Sequence, residues 1–342
     1  MLRWIIGGLL AIVGLAALVG AGAYFALKRP DIPYETLAAQ YESAASRYVD
    51  LPGGVRMHFR DEGQPNGPPL LLIHGFSASL QTWEPWVARL GDEYRIISLD
   101  LPGHGLTRAP AGFQASIEVY RDLVNEFARS QGLTRFALAG SSMGGNVAWE
   151  YALAHPDQVQ ALILVDASGW EDTRAEATEE PQVFKLLRNP TLGPIMIQLD
   201  STRLVRDGLQ ASFANPALVD DAMLNRYVQL ARAPGHREIL LQITLNFRAR
   251  HYATQERLAE LSAPTLVLTG DTDRIVPPEH AHQFDDAIPN SELVTFENTG
   301  HVPQEEKPDE SAAAVREFLD RVIEGSALAP LPEVDCETDA RC

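Results

Sequence analysis

Gly140-Ser141-Ser142-Met143-Gly144 places a serine with a glycine two positions away on each side, between the apolar run 135–139 and a helical stretch over 146–155. A sharp strand-to-helix turn pushes such a serine's Oγ into the open. It also packs backbone so tightly that a Cβ two residues away has no room. The helix that starts there aims its first N–H groups at the serine, where negative charge would be stabilised. The chemistry implied is nucleophilic attack by Ser142.

A serine nucleophile needs a base, and the base needs an orienting acid. Nine histidines are available. His301 lies in Asn298-Thr299-Gly300-His301-Val302-Pro303, just past the last apolar run, where a loop can return over the sheet. His280 and His282 are two apart on one helical stretch and so face different sides, which argues against a metal pair. His155, before Pro156, reads as a helix end. His301 is therefore the expected base. For the acid, Asp271 and Asp273 follow the apolar run 264–269 and Asp166 ends the run before it, and chain order admits all three.

An oxyanion needs N–H donors as well. One is expected from Met143, immediately after the nucleophile. The other is expected from Phe76, after the tight His74-Gly75 turn that ends the run 70–73. Trp83 and Trp86 read equally as an acyl-pocket wall or as core, and Ser141 is a further pocket candidate. Asp100-Leu101-Pro102-Gly103-His104-Gly105 is a second strand-exit turn, read as mainly structural.

These residues sit at the ends of short apolar runs over 70–73, 94–99, 135–139, 162–165, 265–269 and 292–296, most of them followed by helical stretches. Such continuous runs suit parallel strands covered on both faces. Residues 48–60, with Pro52-Gly53-Gly54 in the middle, read as an antiparallel hairpin. The expected fold class is α/β, a mostly parallel central sheet flanked by helices. The alternation breaks between 171 and 261, which opens on an acidic run and continues with helical patterns. One of these is expected to start at Asn215-Pro216 and carry Leu224, Val228 and Ala231 on one face. The expected organisation is a core over 31–170, a helical cap over 171–261, the rest of the core over 262–326, and a flexible acidic tail over 327–342. Residues 31–50 read as a polar, partly helical spacer. The last helix, with Val315, Phe318, Leu319, Val322 and Ile323 on one face, is expected to close at Gly325.

Ahead of all this, residues 4–27 form 24 consecutive positions without a charge, between Arg3 and Lys28-Arg29. At about 1.5 Å per residue that run crosses a hydrocarbon layer of about 30 Å. A membrane anchor or signal segment over 1–30 is expected, with retention favoured over cleavage after Ala21-Gly22-Ala23 because signal cores are shorter. The flanking charges balance, Arg3 and the terminal amine against Lys28-Arg29, and the catalytic part is placed on the extracytoplasmic side, or secreted or periplasmic after cleavage. The net charge of −18, from 28 basic and 46 acidic residues, excludes nucleic acid as a first partner. The two cysteines, Cys336 and Cys342, lie in the tail and are too few for a metal-binding or disulfide framework.

HGFSAS, DLPGHGLT, GSSMGGNVAWEYA, LVDASG, PTLVLTGDTDRIVP and NTGHVPQEEKP together resemble the α/β-hydrolase superfamily, in its order, over residues 55–324. The resemblance implies that fold with an inserted cap. It assigns Asp273 as the acid beside Ser142 and His301, with the Phe76 and Met143 amides as oxyanion donors. Serine at the elbow sets aside haloalkane dehalogenases and epoxide hydrolases, which carry aspartate there. Carboxylesterases and lipases, carbon–carbon bond hydrolases of ring-cleavage products, and cofactor-free perhydrolases remain. The short HGF loop and the apolar N-terminus favour an esterase or lipase on short- to medium-chain apolar esters, needing no metal or cofactor. A non-catalytic binding member of the fold is the other reading, disfavoured because all three triad residue types are present.

Overall fold

A computed structural model describes residues 15, 18, 20, 22, 24–171, 182–246 and 252–328. Eight strands form one sheet: β1 (Ser46–Leu51), β2 (Val55–Gly63), β3 (Pro69–Ile73), β4 (Arg95–Leu99), β5 (Phe136–Ser141), β6 (Val159–Val165), β7 (Thr265–Gly270) and β8 (Ser291–Phe296). Their order is β1-β2-β4-β3-β5-β6-β7-β8. The β1–β2 hairpin is antiparallel, as is the β2–β4 pair, and every later pair is parallel.

The helices are α1 (Tyr34–Tyr41), α2 (Glu84–Leu90), α3 (Ile117–Ser130), α4 (Met143–Ala154), α5 (Gln182–Leu187), α6 (Gly193–Met196), α7 (Thr202–Ser212), α8 (Asp221–Leu230), α9 (His236–Asn246), α10 (Gln255–Leu258), α11 (Pro278–Ala287), α12 (Pro303–Glu306) and α13 (Pro308–Leu328). Side chains alternate across each strand, so the apolar runs feed two cores. Leu71, Ile73, Leu162 and Leu164 pack with Phe127, Val147 and Phe284 of α3, α4 and α11. Leu70, Leu72, Ile163 and Val165 pack with Trp86, Val315, Phe318 and Leu319 of α2 and α13 on the other face. A fully buried Leu or Phe of this kind contributes about 1.5–3 kcal/mol. The hydrophobic effect thus holds the sheet between two helical layers, with the strand ends free to carry loops.

The helical insertion follows β6, as expected, but two helix ends differ. Asn215 caps only a 3₁₀ turn (Pro216–Leu218). The helix carrying Leu224 and Val228 starts at Asp221, where the Asp220 carboxylate accepts from the Met223 N–H at 2.7 Å. α13 runs through Gly325 to Leu328. The spacer also does more than connect: Leu37 of α1 is fully buried with Leu106, Leu230 and Ala233.

Residues 24–32 are stitched to the cap. Lys28 bridges Leu199, the Asp200 N–H donates to the Leu27 carbonyl, and Arg29 pairs with Asp200 at 2.8 Å. Arg237 donates to the Arg29 carbonyl at 2.9 Å and the Ile32 N–H to the Arg232 carbonyl at 2.8 Å. Among the described residues no helix is long and apolar enough to cross a membrane. Most of the stretch 4–27 lies outside them, as do residues 172–181 and the tail beyond Leu328 with both cysteines.

Candidate active site

Ser142 sits between β5 and α4 with φ 54° and ψ −117°, a left-handed conformation that serine adopts only under compulsion. The surrounding glycines show what compels it. A Cβ on Gly140 would lie 2.2 Å from the Gly144 carbonyl oxygen, and one on Gly144 would lie 2.2 Å from that of Ile73. The turn is tied down through Ser142's backbone: its N–H donates to Val165 at 2.9 Å, and its carbonyl accepts from Asn146 and Ser168.

The loops after β7 and β8 bring the next pair together. His301 Nδ1 donates to Asp273 Oδ2 at 2.6 Å, with both side chains buried. Asp273 is itself oriented, because its Oδ1 accepts from the Ile275 and Val276 N–H groups at 2.6 and 3.1 Å. Of the three carboxylates open in the sequence, Asp273 is the one that holds His301. Asp271 instead accepts from the Thr299 N–H, and Asp166 accepts from Thr269 and Gly270. No hydrogen bond joins Ser142 Oγ to His301 among the described residues, a contact that often tightens only with substrate in place.

His74 explains the other expected donor. The Leu101 N–H donates to His74 Nε2 at 3.0 Å, so the ring proton is on Nδ1, which donates to the Gly75 carbonyl at 2.7 Å. Fixing that carbonyl fixes the same peptide's N–H, that of Phe76, in the opposite direction. Neither the Phe76 nor the Met143 N–H has an acceptor among the described residues. Gly75 abuts the serine: a Cβ there would lie 3.1 Å from Ser142 Cβ. Behind this loop the Asp100 carboxylate accepts from the Leu80 and Leu106 N–H groups and from His58. The DLPGHG turn thus braces the loop that follows β3.

Trp83 and Trp86 are fully buried, their rings 4.9 Å apart, and Trp86 Nε1 donates to Ser311. Packing favours the core reading for both. Ser141 is buried as well, with its hydroxyl toward Gln304. The sequence reading missed Glu306. Its Oε2 accepts from Gly300 at 2.7 Å and Ala214 at 3.1 Å, and its Oε1 from Asn215 at 2.9 Å. With the His301 N–H donating to Ser212 at 2.7 Å, this carboxylate clamps the histidine loop to the end of α7. Gly300 permits the approach, since a Cβ there would lie 2.4 Å from the Ser212 oxygen.

Among the described residues only Asp166, Asp273 and His301 place three potential metal-ligand atoms within 4.8 Å of one another. His301 Nδ1 is already bonded to Asp273 there, so a cation would have to displace that proton.

Burial lowers the pKa of His74, His104 and His236, with neighbouring histidine charge adding to the effect at His104. Asp100 moves the other way from what its burial dictates: the His58 hydrogen bond and charge hold it well below the usual carboxylate range. Each of these three histidines takes up its proton at lower pH in the folded state than in the unfolded chain, which binds protons below pH about 6.5. Stability is therefore lost as pH falls from about 6.5, and the Asp100 contribution fails at still lower pH. The urea midpoint should drop between pH 7 and pH 5, less so in His104→Phe; an unchanged midpoint across that range would contradict this.

A profile of the alpha/beta hydrolase fold family matches residues 68–308. The chain belongs to the α/β-hydrolase family. It is 29% identical over 285 residues to Lipase 1 of Psychrobacter immobilis, covering 82% of this chain and 86% of that one. It is 30% identical over 286 residues to a dihydrolipoyllysine-residue acetyltransferase component of an acetoin-cleaving system from Pseudomonas putida, covering 82% and 71%. The crystal structure of a membrane phospholipase A, described as a bacterial virulence factor, superposes with a TM-score of 0.69 at 29% identity. That match covers 94% of this chain and 99% of the other. The likeness to lipases makes this α/β-hydrolase chain a hydrolase.

Proposed function

We propose that the protein is a serine carboxylic-ester hydrolase, of esterase or lipase type, acting on short- to medium-chain apolar esters. The observation that carries this is the 2.6 Å His301–Asp273 bond on the loops beside a serine held at φ 54°. His301 takes the Ser142 proton as Oγ attacks the ester carbonyl, and Asp273 stabilises the imidazolium. The Phe76 and Met143 N–H groups receive the oxyanion. His301 then protonates the leaving alcohol and activates water to release the acid from the acyl-enzyme. Phe76 and Ile275, each 43% exposed on loops that carry the site, supply apolar surface for an acyl chain.

We also place the protein at a membrane, held by residues 4–27. Their lack of charge supports this, as does the exposure of Leu15, Leu18 and Phe25, at 64, 73 and 75%. The anchor's task is location on the extracytoplasmic side, near esters that partition into lipid. A form beginning at Tyr24 keeps every bond between residues 24–32 and the cap.

Both readings are tested together with p-nitrophenyl esters of increasing chain length and a ring-cleavage dienoate alongside. The full chain should sediment with membranes, the form starting at Tyr24 should stay in solution, and both should hydrolyse the esters at equal kcat. Turnover of the dienoate alone would favour the carbon–carbon bond hydrolases, and full-length protein free in solution and unprocessed would remove the anchor. A mature chain found by mass spectrometry to begin at Tyr24 would make the segment a cleaved signal.

A further inference from the structure

Asp166 has no part in the steps above, yet it lies against the acid that performs them. Four carboxylate oxygens meet there. Asp273 Oδ1 accepts from Ile275 and Val276, and Asp273 Oδ2 from His301. Asp166 Oδ1 accepts from Thr269 Oγ1 at 2.7 Å and the Gly270 N–H at 3.2 Å. Asp166 Oδ2 is buried and faces no donor. An ionised carboxylate only accepts, so an oxygen buried without a donor forfeits its hydration with no return. Asp166 and Asp273 also approach each other and His301 within 4.8 Å, and two ionised carboxylates at such range repel. Both difficulties disappear if Oδ2 carries a proton.

We propose that Asp166 is a positioning residue for the hydrolysis, a neutral carboxylic acid whose Oδ2–H donates to the Asp273 carboxylate and holds it against His301. The inference rests on the esterase reading and gives that reading a second acid. Burial, then the Asp273 charge, with a contribution from the hydrogen bond between the two side chains, hold the Asp166 pKa well above the usual carboxylate value. The turn that bears it is strained, with Asp166 at φ 41° and its N–H donating to Leu268. The ionisable groups facing it are Asp273 from the loop after β7 and His301 from the loop after β8, while Thr269 and Gly270 offer only neutral dipoles. At neutral pH the pair therefore carries one negative charge. When alkali removes the Asp166 proton, Asp273 loses that donor and meets a second carboxylate charge, so it is pushed out of line with His301 and the rate falls.

The test compares full-length wild type with Asp166→Asn, Asp166→Ala and Asp273→Asn. An asparagine amide N–H can replace the acid O–H as a donor, but it cannot ionise. Asp166→Asn should keep kcat/KM within about threefold at pH 7, because the donated bond survives. It should also hold its rate at alkaline pH where wild type declines. Asp166→Ala, which leaves Asp273 without that donor, should lose about ten- to a hundredfold. The infrared difference spectrum of wild type minus Asp166→Asn at neutral pH should show the carbonyl stretch of a protonated carboxyl. That band needs no turnover, so it decides the carboxyl pair even if the alanine variant fails to fold. Absence of the band, or an Asp166→Asn loss as large as that of Asp273→Asn, overturns the proposal. A wild type that hydrolyses no ester while showing the band would instead defeat the esterase reading, and with it the positioning role, leaving the shared proton established.

Discussion

Ser142→Ala should lower kcat by about 10⁶-fold, the cost of removing a serine nucleophile from a working triad. The fold should survive, because among the described residues every hydrogen bond of Ser142 uses its backbone N–H or carbonyl and none uses Oγ. The glycines that compel the turn are untouched, so the variant keeps the Phe76 and Met143 N–H groups in place. It should still bind ester, with KM little changed, and show only the residual rate that oxyanion stabilisation supplies without a nucleophile. Steady-state kinetics on a p-nitrophenyl ester, with a urea midpoint alongside, checks both halves. Near-normal turnover by a folded variant would remove Ser142 from the reaction.

Asp273→Asn should cost about 10⁴-fold in kcat through the histidine tautomer. The side-chain oxygen of the asparagine stays with the Ile275 and Val276 N–H groups, which already hold Oδ1. Its NH₂ group then faces His301 Nδ1, which must become an acceptor. The ring proton moves to Nε2, and the nitrogen that should take the serine proton is blocked. Asp271→Asn removes only a charge, since its amide oxygen can still accept from the Thr299 N–H, and should lose far less. If Asp166→Asn proved the costly change, the acid would belong to the turn after β6, and the assignment carried over from the family pattern would be wrong.

The serine turn was legible because local geometry forces it. Gly140 and Gly144 mark a backbone approach that no other residue permits, so the elbow declares itself in five positions. The continuous apolar runs made the sheet legible, since neighbours such as Leu70 and Leu71 both need cover and part to opposite cores. Choosing among Asp166, Asp271 and Asp273 was beyond periodicity or spacing. All three end or follow apolar runs, and only the three-dimensional path of the loop after β8 decides which one His301 meets. Glu306 was illegible for the same reason: its partners Ala214 and Asn215 are about ninety positions away in the cap. The start of α8 was misplaced because Asn215-Pro216 carries the signal of a helix start and spends it on one 3₁₀ turn. Asp220 then supplies the actual cap. Trp83 shows the limit on aromatic residues, whose presence after the HGF loop fits pocket and core alike until packing is known.

The central claim is that Ser142 is the nucleophile, and the most direct measurement is peptide mapping by mass spectrometry after treatment with a fluorophosphonate. The account predicts one adduct, on Ser142, absent from Ser142→Ala and formed far more slowly in Asp273→Asn. No adduct on the wild type, or one that persists in Ser142→Ala, would contradict it.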